Sequence, residues 1–361
     1  MHAGVYRVTM TTMKQIAEMA GVSVSTVSLV INKRDKGRVN PGLARRVRKT
    51  ADALGYHPNP LARSLRTSRT RILGFISEEI ATTPYAGNII RGAQDAASAT
   101  GYMMLTVNTD GTSKKDEEQE VATLKRYGVD GFLYAKMYNR LAQVPDCLQD
   151  QPLVLVDATD ESGSVPSISP DEFHIGYDAT RHLIEAGCER IAYIGAAETL
   201  LAQGIRLQGY RAALEESGRT FVQDLVANVG FNQPALDQVG ALFDSQHPDG
   251  FFCFNDARAW HVYEAAARRG LTVGRDISVV GVDNHRLVAE TISPRLTTIE
   301  LPHYEIGYWS VCKLVSMITG EPVPEDRLPD TIAPLPSMDA PWPVRIRCTL
   351  LSKDSVVPHN S

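Results

Sequence analysis

The chain has 361 residues, of which 43 % are hydrophobic and 22 % are charged, as in a globular protein of two or three domains. No apolar run approaches the roughly 18 residues that a membrane-spanning helix needs, which excludes a transmembrane protein. The first residues lack the pattern of a secretory signal, and the five cysteines are widely spaced and odd in number. These features predict a cytoplasmic protein without a disulfide framework.

The charge is divided unevenly along the chain. Residues 1–71 contain 14 lysines and arginines but only three acids, a net charge of +11. The remaining residues contain 23 bases and 39 acids, a net charge of -16. A basic N-terminal fifth on an acidic body predicts a segment that binds a polyanion, with a solvated tail as the alternative.

The basic segment begins with two predicted short helices. Apolar residues recur at helical spacing from Met13 to Ala20, and Gly21 then ends the first helix. Ser23 is a good N-cap for a second helix over residues 24–31. Two short helices joined by a glycine-containing turn predict a helix-turn-helix, whose second helix can enter the DNA major groove. A third helix is predicted from about Pro41 to Leu54.

One side of the predicted second helix carries small hydroxyl, amide and apolar side chains. Such groups can contact base edges, thymine methyls and phosphates in the major groove. The predicted DNA-contacting residues of this helix and its N-cap are Ser23, Val24, Ser25, Thr26, Ser28, Leu29 and Asn32.

Another short helix is predicted after the third one. Asn59 can cap it and Pro60 suits its first position, but a helix this short needs a partner in order to form. Leu65 could then wedge between base steps of the minor groove, with Arg63 and Arg66 at phosphates. The alternative is an ordinary linker.

Two motifs resemble the headpiece and hinge helix of the lactose-repressor (LacI/GalR) family of transcription regulators: MKQIAEMAGVSVSTVSLVIN and GYHPNPLARSL. The resemblance implies a homodimer that binds a near-palindromic operator in double-stranded DNA, with paired hinge helices opening the minor groove through Leu65. The corresponding domains are 11–57 for the helix-turn-helix, 58–70 for the hinge helix and linker, and 71–361 for an effector-binding and dimerisation domain.

After Arg71, predicted strands and helices alternate. Strand-length apolar runs such as Ile72–Ile76 and Ile191–Ile194 are separated by helical patterns such as Ile89–Ala99 and Arg206–Ser217. This alternation predicts an α/β body in which helices cover parallel sheets. The number of units favours two similar lobes with a ligand between them.

This body also resembles the family's effector domain, which is similar to periplasmic sugar-binding proteins and whose chain crosses between its lobes three times. We expect crossings near Ser169–Pro170, Thr291–Arg295 and Asp330–Pro336. Lobe 1 would then contain about 71–169 and 295–330, and lobe 2 about 170–292 and 336–361. Ser337–Pro343 looks like an insertion before a final strand-like segment, Val344–Leu351.

Candidate effector residues follow the predicted strands, at the edge of a parallel sheet where ligands bind. An arginine, carboxylates, an amide and aromatic rings suit a small polyhydroxylated ligand. Some alternatives are structural: Arg206 could pair with a surface acid, and Asp256 could cap the next helix. The candidates are Tyr85, Asp157, Arg206, Phe231, Asn255 and Asp283, and the resemblance implies effector contacts for all of them except Asp157.

A sugar is the leading hypothesis for the effector. Leu200 occupies the position where the purine-repressor branch of the family has a second basic residue, which argues against a nucleobase or a strongly anionic ligand. The sequence leaves open whether the effector releases or recruits DNA. No cofactor and no metal are expected.

The alternatives are an enzyme that turns over a sugar or nucleoside and a transport-type binding protein. Asp157 and Asp283 could act as acid and base, but the sequence contains no nucleophile, metal or cofactor motif. His174 and His182 lie eight residues apart without a third metal ligand. The basic headpiece disfavours a transport protein, so a DNA-binding regulator is the prediction.

Overall fold

The computed structural model describes residues 11–56, 69–83, 86–109, 111, 113–230, 233–323, 331 and 333–358. The chain divides into two compact units, residues 1–70 and 71–361. Some of the residues singled out from the sequence lie outside the described ranges. These are the hinge residues Arg63, Leu65 and Arg66 and the candidate effector residues Tyr85 and Phe231.

In the first unit, three helices enclose a small apolar core: α1 (Met13–Ala20), α2 (Val24–Ile31) and α3 (Pro41–Ala53). Gly21 ends α1 in the left-handed conformation at φ 62°, and this turn brings α2 across α1. Helices of 8, 8 and 13 residues are marginal alone, so mutual packing must hold them. The predicted helix-turn-helix is confirmed. The buried residues of the core shared by the three helices are Ile16, Ala17, Ala20, Val27, Val30, Ala44, Val47 and Ala51.

The second unit contains two sheets, and the first, with its helices, forms lobe 1. Among the described residues this sheet has the strand order β11-β5-β4-β3-β1-β2, and every pairing is parallel. The strands are β1 (Ile72–Glu78), β2 (Met103–Thr109), β3 (Gly131–Leu141), β4 (Leu153–Thr159), β5 (Ser167–Pro170) and β11 (Val344–Ile346), and the helices are α4 (Gly87–Thr100), α5 (Lys114–Arg126) and α11 (His303–Thr319).

The second sheet and its helices form lobe 2, in the order β12-β10-β9-β8-β6-β7. In the described part of this sheet, β12 is antiparallel to β10 and the other pairings are parallel. The strands are β6 (Ile191–Ala196), β7 (Val226–Val229), β8 (Gly250–Cys253), β9 (Ser278–Val282), β10 (Thr297–Glu300) and β12 (Thr349–Leu351), and the helices are α6 (Glu172–Glu185), α7 (Leu201–Glu216), α8 (Gln233–Gln246), α9 (Asp256–Ala267) and α10 (Arg286–Ala289).

The strand pairing corrects two of the three expected crossings between the lobes. β10 pairs with β9, so the second crossing follows Glu300 instead of falling within Thr291–Arg295. β11 pairs with β5 whereas β12 pairs with β10, so the third crossing is Arg347–Cys348 instead of Asp330–Pro336. The expected single strand Val344–Leu351 is therefore two strands in different lobes. Only two residues separate the strands, and neither glycine nor proline marks the change of sheet.

Each lobe contains a pair of helices that touch at glycines. A Cβ atom on Gly92 of α4 would lie 2.0 Å from the carbonyl oxygen of Tyr304 in α11, and one on Gly307 would lie 1.9 Å from that of Ile89. In lobe 2, a Cβ on Gly209 of α7 would lie 2.0 Å from the carbonyl oxygen of Phe173 in α6. In both lobes, this close approach of backbones fixes the relative positions of the paired helices, which begin near the cleft between the lobes.

The predicted insertion covers the outer side of α11. The indole Nε1 of Trp309 donates to the carbonyl oxygen of Pro336 at 3.1 Å, and Lys313 Nζ donates to that of Met338 at 2.6 Å. Lys313 also lies 5.2 Å from the ring centroid of Trp342. The insertion therefore belongs to lobe 1, although the expected boundaries placed residues 336–361 in lobe 2.

The remaining sequence features have simple structural counterparts. None of the described helices combines the length and the apolar character needed to cross a membrane. The five cysteines are free thiols. His174 Nδ1 lies 2.6 Å from Asp171 Oδ2 at the start of α6, and no metal-binding cluster occurs within the described residues.

Candidate effector site and DNA-binding surface

Four of the predicted effector residues line one cleft between the lobes. Asp157 lies in β4, Arg206 in α7, Asn255 directly before α9 and Asp283 directly after β9. The cleft holds these side chains tightly, with a free volume of about 10 Å³. The carboxyl ends of parallel strands from both lobes meet here, as expected for a ligand site in this type of sheet.

Arg206 is anchored in the cleft by an acid from the neighbouring helix. Its Nε donates to Glu172 Oε2 at 2.6 Å, and its Nη1 donates to the carbonyl oxygen of Phe254 at 2.5 Å. Both side chains of the ion pair are buried, and the guanidinium lies 4.4 Å from the Phe254 ring centroid. Burial alone would lower the pKa of Arg206, but the Glu172 carboxylate raises it above its usual value. The alternative that Arg206 pairs with a surface acid is therefore wrong, because its partner Glu172 is buried.

The Asp157 carboxylate accepts two backbone N–H groups from β3. Its Oδ2 is 3.2 Å from the nitrogen of Tyr138, and its Oδ1 is 3.2 Å from the nitrogen of Asn139. Burial raises the pKa of Asp157 well above its usual value, and the charge of Glu172 adds to this effect. Arg206 and the two N–H groups act in the opposite direction.

Asp283 enters the cleft from lobe 2 on a strained backbone. Its φ of 108° lies in the region that favours glycine, directly after the buried strand β9. Desolvation by the cleft walls raises the pKa of Asp283 well above its usual value, Asp256 adds to this effect, and Arg206 opposes it. Backbone strain and a desolvated carboxyl at one position are typical of functional sites.

The sequence left open that Asp256 caps α9, but the structure shows that Asn255 is the cap. Asn255 is the N-cap, and its Oδ1 accepts from the backbone nitrogen of Arg258 at 3.1 Å and from Nη1 of Arg258 at 3.3 Å. Asp256 instead accepts from Thr298 Oγ1 at 2.6 Å and from the backbone nitrogen of His285 at 2.7 Å. The amide oxygen of Asn255 is thus engaged by its own helix.

Several lining residues are not singled out by the sequence. Tyr138, Glu172, Phe254 and His303 also face the cleft. Glu172 closely follows the first crossing between the lobes. An acid at that position in the sequence could have indicated a residue of the cleft. His303 follows the second crossing, which the sequence placed too early. Tyr138 lies between Met137 and Asn139 near the end of β3, and no periodic pattern there indicates that its ring enters the cleft.

The described cleft lining contains one guanidinium and three carboxyl groups. Arg206 is already paired with Glu172, so the described lining offers no unpaired guanidinium or ammonium group beside Asp157 and Asp283. Carboxylates accept hydrogen bonds from hydroxyl groups, and the face of the Phe254 ring offers an apolar surface. The chemistry of the lining therefore suits a small hydroxylated molecule better than an anion.

The predicted DNA-contacting residues lie along one side of α2 and at its N-terminus. Val24 is 47 % exposed, and Ser23 and Ser25 are exposed beside it, so these three side chains are accessible to a partner. The Ser23 hydroxyl accepts from the backbone nitrogen of Thr26 at 3.2 Å, which caps the helix. The other candidates, Thr26, Ser28, Leu29 and Asn32, are half-buried.

Exposed bases border this surface on the loop between α2 and α3. Asp35 and Arg48 form an ion pair at 2.5 Å that ties the loop to α3. The remaining bases of this loop are exposed: Lys33, Arg34, Lys36 and Arg38. Such bases can neutralise phosphates on either side of a groove.

A basic helix-turn-helix joined to a two-lobed α/β body with a polar cleft is the design of a ligand-responsive, DNA-binding transcriptional regulator. Residues 12–59 match the family model described as bacterial regulatory proteins, lacI family. Residues 70–334 match the model described as periplasmic binding proteins and sugar binding domain of LacI family. The chain therefore belongs to the LacI family of bacterial regulatory proteins.

Individual relatives agree with this assignment. The chain is 30 % identical to the HTH-type transcriptional regulator DegA of Bacillus subtilis over 82 % of this chain and 88 % of the relative. It is 32 % identical to the ribose operon repressor of Escherichia coli K12 over 88 % and 96 % of the two chains. A solved LacI-family regulator from Rhizobium etli has a TM-score of 0.69 and 29 % identity over 80 % of this chain and 100 % of its own. The family consists of transcriptional regulators, so the protein is a regulator and not an enzyme.

Proposed function

We propose that this regulator is a homodimeric, cytoplasmic repressor whose affinity for a near-palindromic operator changes when a sugar binds between its lobes. The observation that carries the sugar site is the convergence of Asp157, Arg206 and Asp283 in one cleft. The description of the matching family model as a sugar binding domain supports the same ligand class.

The charges of the cleft favour a neutral sugar over a phosphorylated one. The positive charge of Arg206 is already balanced by Glu172 at 2.6 Å. A phosphate would then face Asp157 and Asp283 without a compensating cation, and burying an unpaired charge is costly. Sugar hydroxyls can instead donate to these carboxyl groups, and the C–H face of the ring can lie on Phe254.

On the DNA side, α2 is the proposed recognition helix. Ser23, Val24 and Ser25 at its exposed end would approach base edges, and Thr26, Ser28, Leu29 and Asn32 would complete the surface. Arg63, Leu65 and Arg66 are proposed minor-groove residues of the hinge. An effector that prefers one arrangement of the lobes would shift operator affinity by roughly 1–3 kcal/mol, the usual range of coupling energies.

A binding selection followed by a sugar titration tests this function. Full-length protein is used to select sites from random DNA, and the operator found is titrated at fixed salt with a panel of neutral and phosphorylated sugars. We expect an inverted repeat and a neutral sugar that changes the operator affinity at least about fivefold.

The variant Asp283→Asn should abolish the response to that sugar and leave operator affinity without sugar unchanged, because it removes a carboxylate acceptor in the cleft. Asp237→Asn, an exposed position on α8, is the matched control and should respond like the parent. An Asp283→Asn protein that responds at the parent's sugar concentration contradicts the cleft assignment. Failure to select any inverted repeat contradicts the proposed function as a whole.

A further inference from the structure

The end of β3 departs from the regular pairing of the first sheet. β3 and β4 pair up to Ala135 and resume at Arg140, so the chain bulges between these residues. Tyr138 and Asn139 have left-handed backbone conformations there, with φ of 65° and 47°. Asparagine tolerates this region, but a bulky residue such as tyrosine is an outlier that its surroundings must enforce.

Asp157 holds the bulge in place from the neighbouring strand. Its two carboxylate oxygens accept the N–H groups of Tyr138 and Asn139, each at 3.2 Å. The Oδ1 atom of Asn139 is buried and has no hydrogen-bond partner among the described residues. Leaving a buried acceptor unpaired costs stability, so the bulge is not explained by the packing of lobe 1 alone.

The bulge inserts the Tyr138 ring between the lobes. The ring packs against a buried apolar cluster of lobe 2 that contains Ala196, Ala202 and Phe254. The centroids of the Tyr138 and Phe254 rings are 6.2 Å apart. On its other side, Tyr138 contacts the core of lobe 1. The Tyr138 side chain therefore contacts both the apolar core of lobe 1 and this smaller apolar cluster of lobe 2.

The insertion also fills the cleft. The free volume of about 10 Å³ is at the lower limit for one water molecule, so a sugar cannot enter the arrangement as it stands. The Tyr138 ring lies beside Phe254, the apolar surface that we propose for the C–H face of a sugar.

We propose that Tyr138 is an intramolecular occupant of the effector cleft, holding the lobes closed without a ligand until the effector displaces its ring. The identity of the displacing ligand rests on the proposed function, whereas the closed state depends only on this chain. Effector affinity is then set partly by the cost of withdrawing the ring, because a ligand can bind only the fraction of molecules in which the site is free.

Amide hydrogen exchange of the free, full-length protein tests the closed state without DNA or sugar. In Tyr138→Ala, exchange in residues 196–206 of lobe 2 should accelerate on the order of tenfold, because this segment loses the ring that covers it. Exchange of the buried strand β8 should stay as slow as in the parent. Tyr127→Ala, a tyrosine that is 66 % exposed in lobe 1, is the matched control and should leave residues 196–206 unchanged.

A second variant gives an independent answer should Tyr138→Ala unfold. Asn139→Gly keeps the Tyr138 ring, relieves the left-handed backbone and removes the unpaired amide oxygen, so exchange in residues 196–206 should slow at least about twofold. Parent-like exchange of that segment in a folded Tyr138→Ala, or faster exchange in Asn139→Gly, would overturn the proposal. The selection of an operator and its response to sugar are separate measurements, so the two proposals can fail independently.

Discussion

Three buried carboxyl groups lie at or near the cleft, and each is held in place in a different way. Asp157 is held by two backbone N–H groups, whereas Glu172 is held by Arg206. Asp256 has lost nearly all contact with solvent and receives hydrogen bonds from Thr298 and from the backbone of His285. Because desolvation raises the pKa of Asp157 and that of Asp256, these two carboxyl groups make the stability of the protein depend on pH.

Asp256 provides the clearest pH prediction. Burial raises the pKa of this carboxyl from 3.8 to about 7 in the folded protein. Between about pH 4 and pH 7 the folded state therefore keeps a proton that the unfolded state has lost, so the stabilisation present below pH 4 is lost as pH rises to 7. Urea unfolding of the parent should show this decline more strongly than unfolding of Asp256→Asn, which cannot ionise.

The same exposed control, Asp237→Asn, should follow the parent at every pH. The informative quantity is the difference in unfolding free energy between parent and Asp256→Asn as a function of pH, because contributions from groups that do not interact with Asp256 cancel in it; that of Asp283, whose pKa Asp256 raises, remains. A difference that does not change between pH 4 and pH 7 would rule out a raised pKa at this position.

At the scale of elements, helix pairs joined at glycines position the site. Gly176 and Gly209 let α6 and α7 approach until backbone meets backbone, and this approach brings Glu172 to Arg206. Sequence spacing identifies these segments as helices but says nothing of how closely two helices pack. The ion pair between Glu172 and Arg206 thus depends on two residues without side chains.

Gly209→Ala should destabilise the protein although alanine is the better helix former. The added Cβ would lie 2.0 Å from the carbonyl oxygen of Phe173, and backbone cannot yield as a side-chain tip can. Overpacking of this kind typically costs about 1–3 kcal/mol. Gly204→Ala in the same helix meets nothing within 4 Å and should instead stabilise by roughly 0.5–1 kcal/mol. Equal unfolding midpoints in urea for the two variants would contradict the close helix contact.

Elements with strong local signals are the ones that could be predicted from the sequence. The periodicity, Gly21 and Ser23 define the headpiece, and β-rich runs separated by helical patterns define the two parallel sheets. Helix α11, the short strand β10 and the split of Val344–Leu351 were missed. For β10 and for the split of Val344–Leu351, the decisive information is which sheet a strand joins, a long-range choice that leaves no periodic pattern.

The candidate site could likewise be predicted only where it depends on the order of elements along the chain. Asp157, Arg206, Asn255 and Asp283 converge because chain order places each at the end of a strand or the start of the next helix. The bulge that carries Tyr138 depends on a hydrogen bond that the backbone N–H of Tyr138 donates to Asp157 in the neighbouring strand β4. No local pattern in β3 encodes that pairing.

For the whole molecule, the exposed edge of the first sheet bears on the proposed dimer. β2 is an edge strand, and Met103 in it is 55 % exposed, with Met104 and Leu105 half-buried. Soluble proteins usually protect such edges with charges or cover them with another chain. The apolar character of β2 therefore fits a surface that a second copy of this chain covers.

Met103→Glu should weaken the dimer and, through it, operator binding. Dimer formation would then bury an unpaired carboxylate in an apolar surface, which is unfavourable. The dimer dissociation constant should therefore rise at least about tenfold. Sedimentation equilibrium measures that constant, and operator titration should show half-saturation moving to higher protein concentration with a steeper curve. Met317→Glu is the matched control, since Met317 is 42 % exposed on α11, which packs against β3, β4 and β5 away from the β2 edge. If Met103→Glu sediments and binds operator as the control does, β2 is not part of the dimer surface, and the two half-sites must be joined through another part of the body.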